Sequence, residues 1–114
     1  MDTQAIVECI CRLPADFYGG SKSMTQLIIE SGIEKRSSVL TIPNISAYIS
    51  NHLELVELWL RWSANKRASS GWYFTHQSNE YVVSFYPKGE ALSFSQPELA
   101  CAEYVVREVQ SLIP

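Results

Sequence analysis

Apolar residues in the first half of the chain recur at intervals of three and four, which is the spacing of helices that bury one face. The first run predicts a helix over residues 3–13, capped by Asp2 or Thr3. Pro14 ends this helix because proline cannot continue the backbone hydrogen-bond ladder. The following residues 14–22, which include a Gly-Gly pair, are predicted to form a loop.

The clearest helix signal covers residues 24–31. Ser23 is followed three residues later by Gln26, and this pair forms a capping box that satisfies free backbone N–H groups at the helix start. Gly32 stands where a left-handed residue closes a helix. Both ends of this short helix are therefore marked in the sequence.

Residues 45–51 predict a short helix, and residues 52–66 predict the longest and most apolar helix of the chain. The polar positions of the long helix are spaced so that they share one narrow face: Glu54, Glu57 and Arg61. We therefore expect this helix to be enclosed on its other sides. Trp59 and Trp62 are expected in the core, where each indole N–H needs a hydrogen-bond acceptor.

After a link of small residues at 68–71, the helical period gives way to the alternation of strands. Three strands are predicted, over residues 72–76, 80–86 and 91–94. The turns between them are short, which favours an antiparallel meander. In the second strand the alternation divides the side chains between the two faces of the sheet, with Tyr81, Val83 and Phe85 on one and Val82, Ser84 and Tyr86 on the other.

A last helix is predicted over residues 96–112, with Ser95 and Glu98 as a second capping box and Pro97 in the first turn. Its apolar positions form a seam that we expect on one face of the sheet: Leu99, Ala102, Val106, Val109 and Ile113. The fold class is therefore α+β, with N-terminal helices, a three-stranded antiparallel β-meander and a C-terminal helix packed on the sheet. We expect a single domain over residues 1–114, mainly helical over 1–68, with the meander and closing helix over 71–114.

The composition indicates a folded protein in a reducing compartment. With 46% hydrophobic and 18% charged residues, the chain is not expected to be disordered. No apolar run approaches the ~18 residues of a membrane span, and the first residues lack the pattern of a secretory signal. The odd cysteine count argues against a disulfide framework, and Cys9 and Cys11 would face opposite sides of a helix as small packing groups. We therefore expect a cytoplasmic protein without a membrane partner.

No set of residues converges into a recognisable catalytic or metal-binding pattern. A thiol–imidazole pair can be drawn from Cys101 and His76. Cys101 lies in the apolar seam of the last helix without a basic neighbour to lower its pKa, so this pair is not expected to act as a nucleophile. We expect no enzyme activity, cofactor, metal or small-molecule substrate.

The net charge is −3, and the acidic excess lies in residues 71–114, where five glutamates stand against Lys88 and Arg107. A mildly acidic chain is a poor ligand for a phosphate backbone and a better one for a basic protein. The alternative is a small DNA-binding transcriptional regulator of winged-helix type, in which Lys66 and Arg67 would join a basic recognition face. The long helix carries two glutamates against one arginine, which is the wrong balance for phosphate contact.

The run Trp59–Phe74 reads Trp-Leu-Arg-Trp-Ser-Ala-Asn-Lys-Arg-Ala-Ser-Ser-Gly-Trp-Tyr-Phe, and Ala100–Tyr104 reads Ala-Cys-Ala-Glu-Tyr. Together with the strand Tyr81–Tyr86, these segments resemble a group of small bacterial immunity proteins from contact-dependent growth inhibition systems. The resemblance covers the second half of the chain. It implies a non-enzymatic cytoplasmic inhibitor that binds the C-terminal toxin domain delivered by a neighbouring cell, often a domain that acts on nucleic acid.

Acidic and aromatic residues are the ones suited to contact such a toxin. Glutamates at the turns of the meander would oppose the lysines and arginines with which a nuclease holds phosphate, and tyrosines would supply flat contact area. We expect the toxin interface to include Glu80, Glu90, Tyr73 and Tyr86. The second candidate surface is the long-helix face that carries Glu54 and Glu57.

Overall fold

The structure is a computed structural model that describes residues 2–66 and 70–113. The predicted link over residues 68–71 therefore lies partly outside the described residues, as does Arg67. In chain order the elements are α1 (Thr3–Cys11), α2 (Leu13–Gly19), α3 (Met24–Ser31), α4 (Ile42–Ser50), α5 (Glu54–Asn65), β1 (Gly71–Gln77), β2 (Glu80–Tyr86), β3 (Ala91–Phe94) and α6 (Pro97–Leu112). Two short 3-10 helices, Ile33–Lys35 and Ser37–Val39, connect α3 to α4.

The structure confirms the predicted α+β class. It also confirms both ends of α3, since Ser23 Oγ accepts the Gln26 N–H at 3.1 Å and Gly32 is left-handed with φ of 83°. The second predicted capping box is wrong. Neither Ser95 nor Glu98 caps α6, whose start lies at Gln96 without a side-chain hydrogen bond.

The predicted loop over residues 14–22 is also wrong, because most of it forms α2. The first helix ends before Arg12, which lies between α1 and α2, and Pro14 lies in the first turn of α2. Proline is tolerated there because the N–H it lacks would have no intrahelical partner. The proline that ends the predicted first helix therefore begins the second.

Two helix lengths differ from the prediction. The helix α4 begins at Ile42, where Thr41 Oγ1 accepts the Asn44 N–H at 3.3 Å, so it starts earlier than the predicted residue 45. The helix α5 has 12 residues and α6 has 16, so α5 is not the longest of the described helices.

The three strands form an antiparallel meander in the order β1-β2-β3, as predicted. Phe74 lies opposite Val83, which lies opposite Leu92 in the next strand. Phe74 and Val83 are buried, so their face of the sheet is the one that joins the core. We call the other side of the sheet the open face, and its residues are Tyr73, Thr75, Gln77, Glu80, Val82, Ser84, Tyr86, Ala91 and Ser93.

The helix α6 packs between α4 and the sheet, and it contacts all three strands. It is buried along most of its length and on more than one side, which is more than the predicted single seam. Tyr104 stacks on Phe74 at 5.5 Å between ring centroids, whereas Leu99, predicted to begin the seam, is 38% exposed. The C-terminal helix is therefore central to the core.

Candidate functional site

The open face is the largest part of the sheet that no described helix buries. None of its residues is buried, and most are exposed. Three of the predicted interface residues lie on it: Tyr73, Glu80 and Tyr86. Alternation along β1 and β2 places them on one face, because residues two apart in a strand share a face, but Glu80 lies at the opposite end of β2 from Tyr86.

Tyr73 and Tyr86 form the aromatic part of the open face. Their ring centroids are 6.2 Å apart and their planes meet at 83°. Together with Thr75 and Ser84 they line a depression of ≈ 360 Å³. Tyr86 is 56% exposed, so a partner can cover its ring without displacing any part of this chain.

Glu80 and Glu90 lie at opposite ends of β2. Glu80 begins the strand and pairs with Gln77 in the register, whereas Glu90 belongs to the turn that follows Tyr86. The length of β2 separates them by about 20 Å at the usual rise of a strand. Only Glu80 shares the open face.

Glu90 also differs from Glu80 in its charge environment. Its carboxylate lies 3.2 Å from Arg107, which bonds Glu103 at 2.6 Å as well. In the described part of the chain Glu80 has no ion pair. Glu80 is therefore the less compensated of the two predicted acids.

The predicted second surface, Glu54 and Glu57, is exposed on α5 as expected. No contact in the described residues joins these two glutamates to the open face, and the neighbouring Arg61 lies over the ring of Tyr18 in α2 at 4.4 Å. The structure does not bring these glutamates together with the open face.

A buried ion pair next to the open face was not predicted. Lys66 Nζ lies 2.9 Å from Glu108 Oε1, and the two side chains are only 10% and 3% exposed. Trp62 donates its indole N–H to the other carboxylate oxygen at 2.9 Å. Lys66 also lies 4.6 Å from the ring centroid of Tyr73, so this network adjoins the aromatic part of the open face.

Sequence reasoning missed Glu108 because it is a charged residue inside an apolar helical run. Charged residues are rarely buried unless paired, and its partner Lys66 is 42 positions away in the chain. The sequence signal is that Glu108 lies at helical spacing from apolar residues on the stripe beside the predicted seam: Cys101, Tyr104, Val105 and Leu112.

Tyr104 is fully buried beside this network. Its hydroxyl lies near Ser63 and Glu108, but none of the described residues is aligned to hydrogen-bond with it. Burial, and after it the negative charge of Glu108, raises the pKa of Tyr104. The phenol therefore stays protonated and is a poor base.

Cys101 and His76 do not form a nucleophilic pair. Burial raises the pKa of the Cys101 thiol well above its ordinary value, and the nearby Cys11 adds to the effect. His76 is exposed, and its ring stacks on Tyr81 at 4.1 Å between centroids. A neutral buried thiol lacks the thiolate that this chemistry needs.

Residues 2–66 and 70–113 contain neither a metal site nor a membrane-spanning helix. No group of three or more His, Cys, Asp or Glu side chains is placed to hold a metal ion. None of the helices there is long and apolar enough to cross a membrane.

The described residues of the Trp59–Phe74 run hold the crossover from α5 to β1 in place. Trp59 is fully buried and donates its indole N–H to the Cys11 carbonyl at 3.0 Å. Ser63 Oγ accepts the backbone N–H of Phe74 at 2.7 Å. Arg67, Ala68 and Ser69 of the same run lie outside the described residues. The motif behind the family resemblance thus has a structural role here, next to the open face.

Comparison with known proteins adds no assignment. No protein-family model, no curated protein and no solved structure matches this chain.

Proposed function

We propose that the protein is a cytoplasmic immunity protein that binds and neutralises the C-terminal toxin domain of a contact-dependent growth inhibition system. The proposed toxin is a nuclease. The observation that carries the proposal is the open face, which no described helix covers and which carries the Tyr73–Tyr86 pair at one end of β2 and Glu80 at the other. The family resemblance of the Trp59–Phe74 run supports the choice of toxin class.

The chemistry of the open face suits a basic protein surface. Tyrosine rings give large contact areas at a small entropic cost, and they are common among the residues that dominate binding energies. Their faces also attract the cationic side chains of arginine and lysine. Glu80 adds a negative charge at the edge of the same face, opposite to the charge of a phosphate-binding cleft.

The charge distribution supports a protein partner over a nucleic acid. Several basic side chains are paired with glutamates inside the chain: Arg12 with Glu8, Lys22 with Glu30, Lys66 with Glu108, and Arg107 with Glu90 and Glu103. Cations that are paired in this way contribute little to phosphate binding. The exposed side of α5, which the regulator alternative would use, carries Glu54 and Glu57.

The experiment is a kinetic binding assay against the toxin domain encoded beside this gene, at two salt concentrations. Replacing Tyr86 by Ala should weaken binding by about 30-fold, the effect of losing one dominant aromatic contact of about 2 kcal/mol. Replacing Glu80 by Lys should slow association and reverse its salt response, because a surface charge acts mainly on the encounter rate.

Glu57→Lys is the matched control, since it makes the same charge change at an exposed glutamate outside the open face. It should alter association much less than Glu80→Lys. Equal effects of the two charge reversals, with Tyr86→Ala at parental affinity, would move the interface away from the open face. Absence of toxin binding, together with duplex DNA binding that weakens steeply with salt, would replace the proposal by the regulator.

A further inference from the structure

The two outer edges of the sheet differ. At β1 the N–H of Phe74 points away from β2 and donates to Ser63 Oγ of α5 at 2.7 Å. The helix α5 packs against β1, so the middle of this edge is occupied by the protein's own chain at Phe74. At β3 the neighbours are β2 along one side and α6 on the core face. The outer edge of β3 is therefore the one to consider for strand pairing.

The register shows which backbone groups of β3 are free. Phe85 donates its N–H to the carbonyl of Glu90 at 3.3 Å, so these two residues form a hydrogen-bonded pair. Bonded and non-bonded pairs alternate along an antiparallel ladder. Leu92, two residues after Glu90, thus points its N–H and C=O toward β2. Ala91 and Ser93 point theirs outward, and no hydrogen bond joins these groups to the rest of the described chain.

The outward groups are two donors and two acceptors at alternate residues, the pattern that a neighbouring strand requires. The side chains of Ala91 and Ser93 are small, exposed and part of the open face. A strand added at β3 would therefore extend the open face without a steric obstacle from these two positions. Alternate side chains of the added strand would stand beside Ala91 and Ser93, so the partner would continue from this strand over the open face.

We infer that β3 is a docking edge, and that the toxin domain adds an extended strand to it while it covers the open face. This inference rests on the proposed function and deepens it by naming the element that the partner supplies. Main-chain hydrogen bonds to Ala91 and Ser93 fix the position of the strand, and the tyrosines and Glu80 contact the part of the toxin domain that lies over β1 and β2.

A second copy of this chain is the other possible occupant, and two observations disfavour it. Each copy has a net charge of −3, so two copies repel each other, whereas a basic partner is attracted. In addition, β3 has only 4 residues, so pairing of two β3 edges alone would bury little area. A partner that also covers the open face gains contacts that a second β3 does not supply.

The test is the substitution Ser93→Pro, compared with Ser93→Ala. Proline removes the outward N–H but no hydrogen bond to β2, and proline is tolerated on such an edge. Ser93→Ala removes the same hydroxyl and keeps the N–H. Affinity for the toxin domain should fall by about tenfold or more in Ser93→Pro, as expected for one lost main-chain hydrogen bond whose partner is left unpaired, and stay near the parent in Ser93→Ala.

Amide hydrogen exchange of the parent protein gives the second readout. In the complex, the N–H groups of Ala91 and Ser93 should become protected, and the circular dichroism of free Ser93→Pro should match the parent. If the parent binds the toxin but these amides stay unprotected and Ser93→Pro binds normally, the docking edge is refuted and the proposed function stands. If the parent protein does not bind the toxin domain, both the docking edge and the proposed function are refuted. Protection that grows with protein concentration in the free protein, with a doubled mass in sedimentation, would assign the edge to a second copy.

Discussion

Trp59 shows how one residue ties several elements together. It is fully buried in α5, its ring meets that of Tyr104 in α6 edge-on at 5.9 Å, and its N–H reaches the Cys11 carbonyl in α1. Replacing Trp59 by Ala should lower the free energy of unfolding by about 3–5 kcal/mol through lost burial and a residual cavity. Urea unfolding measures this, with the exposed Leu53→Ala as a control of small effect. Parental stability of Trp59→Ala would contradict the buried placement.

The Lys66–Glu108 pair makes a different prediction at the same scale. Because both side chains are largely buried, removing one partner leaves an uncompensated charge. Lys66→Met alone should lower the free energy of unfolding by about 3–5 kcal/mol, whereas Lys66→Met combined with Glu108→Leu should recover part of the loss, since the second change also removes the acceptor of the Trp62 N–H.

A double-mutant cycle by urea unfolding measures that coupling, and the exposed pair of Lys22 and Glu30 is the matched control. The coupling free energy from the control cycle should be at most about 1 kcal/mol, since exposed ion pairs are screened by water. Additive effects of the Lys66 and Glu108 substitutions would show that the buried pair has no net interaction.

Individual residues were predicted best where their local sequence decides their environment. Glu54, Glu57 and Arg61 are exposed and Trp59 is buried, as their helical spacing indicates. Glu108 could not be placed, because its burial depends on a lysine that only the tertiary fold brings near. A helical pattern shows which side of a helix is apolar, but not which polar residue finds a partner inside.

Helix caps give a prediction at the scale of elements. Ser23 accepts a backbone N–H at the start of α3, whereas Ser95, placed by the same sequence pattern, makes no such bond at α6. Ser23→Ala should therefore cost about 1 kcal/mol of stability, and Ser95→Ala should be close to neutral. Thermal unfolding of the two variants compares them directly. Equal losses would contradict the assigned caps.

Elements were predicted well where turn residues allow one conformation. Gly32 ends α3 in a left-handed conformation, and the short turns between the strands give the meander. The error at α2 arose because Pro14 is compatible with both the end of one helix and the first turn of the next. Packing decides between these readings, since Leu13 and Pro14 are both buried.

At the scale of the whole molecule, the cysteines report on global unfolding. Cys11 in α1 and Cys101 in α6 are fully buried, whereas Cys9 is half-buried. Burial raises the pKa of Cys11 from 9.0 to about 12. A thiol reagent at pH 8 should therefore modify only Cys9 in the folded protein at an appreciable rate, and all three cysteines in denaturant. Rapid reaction of all three in native buffer would contradict the packing of α6.

The same thiol gives stability a pH dependence. The folded state holds the Cys11 proton up to about pH 12, whereas an exposed thiol releases it near pH 9.0. The stability of the folded state with Cys11 protonated is therefore fully present below pH 9. It falls as the pH rises toward 12, because the unfolded chain then releases the proton that the folded state keeps. Urea unfolding at pH 8 and pH 10.5 measures the decline, and Cys11→Ala should reduce it.

The candidate site was predicted in part. Alternation along the strands is enough to place Tyr73, Glu80 and Tyr86 on a common face. It does not reveal that Glu90 lies at the far end of β2 and is bound by Arg107, because that contact joins a turn to a helix later in the chain. Which predicted residues share a surface is a property of the assembled fold.

The hydroxyl of Ser63 also limits how large an assembly this sheet can build. A sheet with two free edges can pair with a further copy at each edge and grow into a fibre. Here α5 lies against β1, and Ser63 takes up the Phe74 N–H there, so growth is left to β3. At the other edge, a further strand would have to displace α5 from Phe74 before it could pair along β1. We therefore expect α5 to hinder growth of the sheet at β1, so that pairing at β3 joins two chains and does not lead to a fibre.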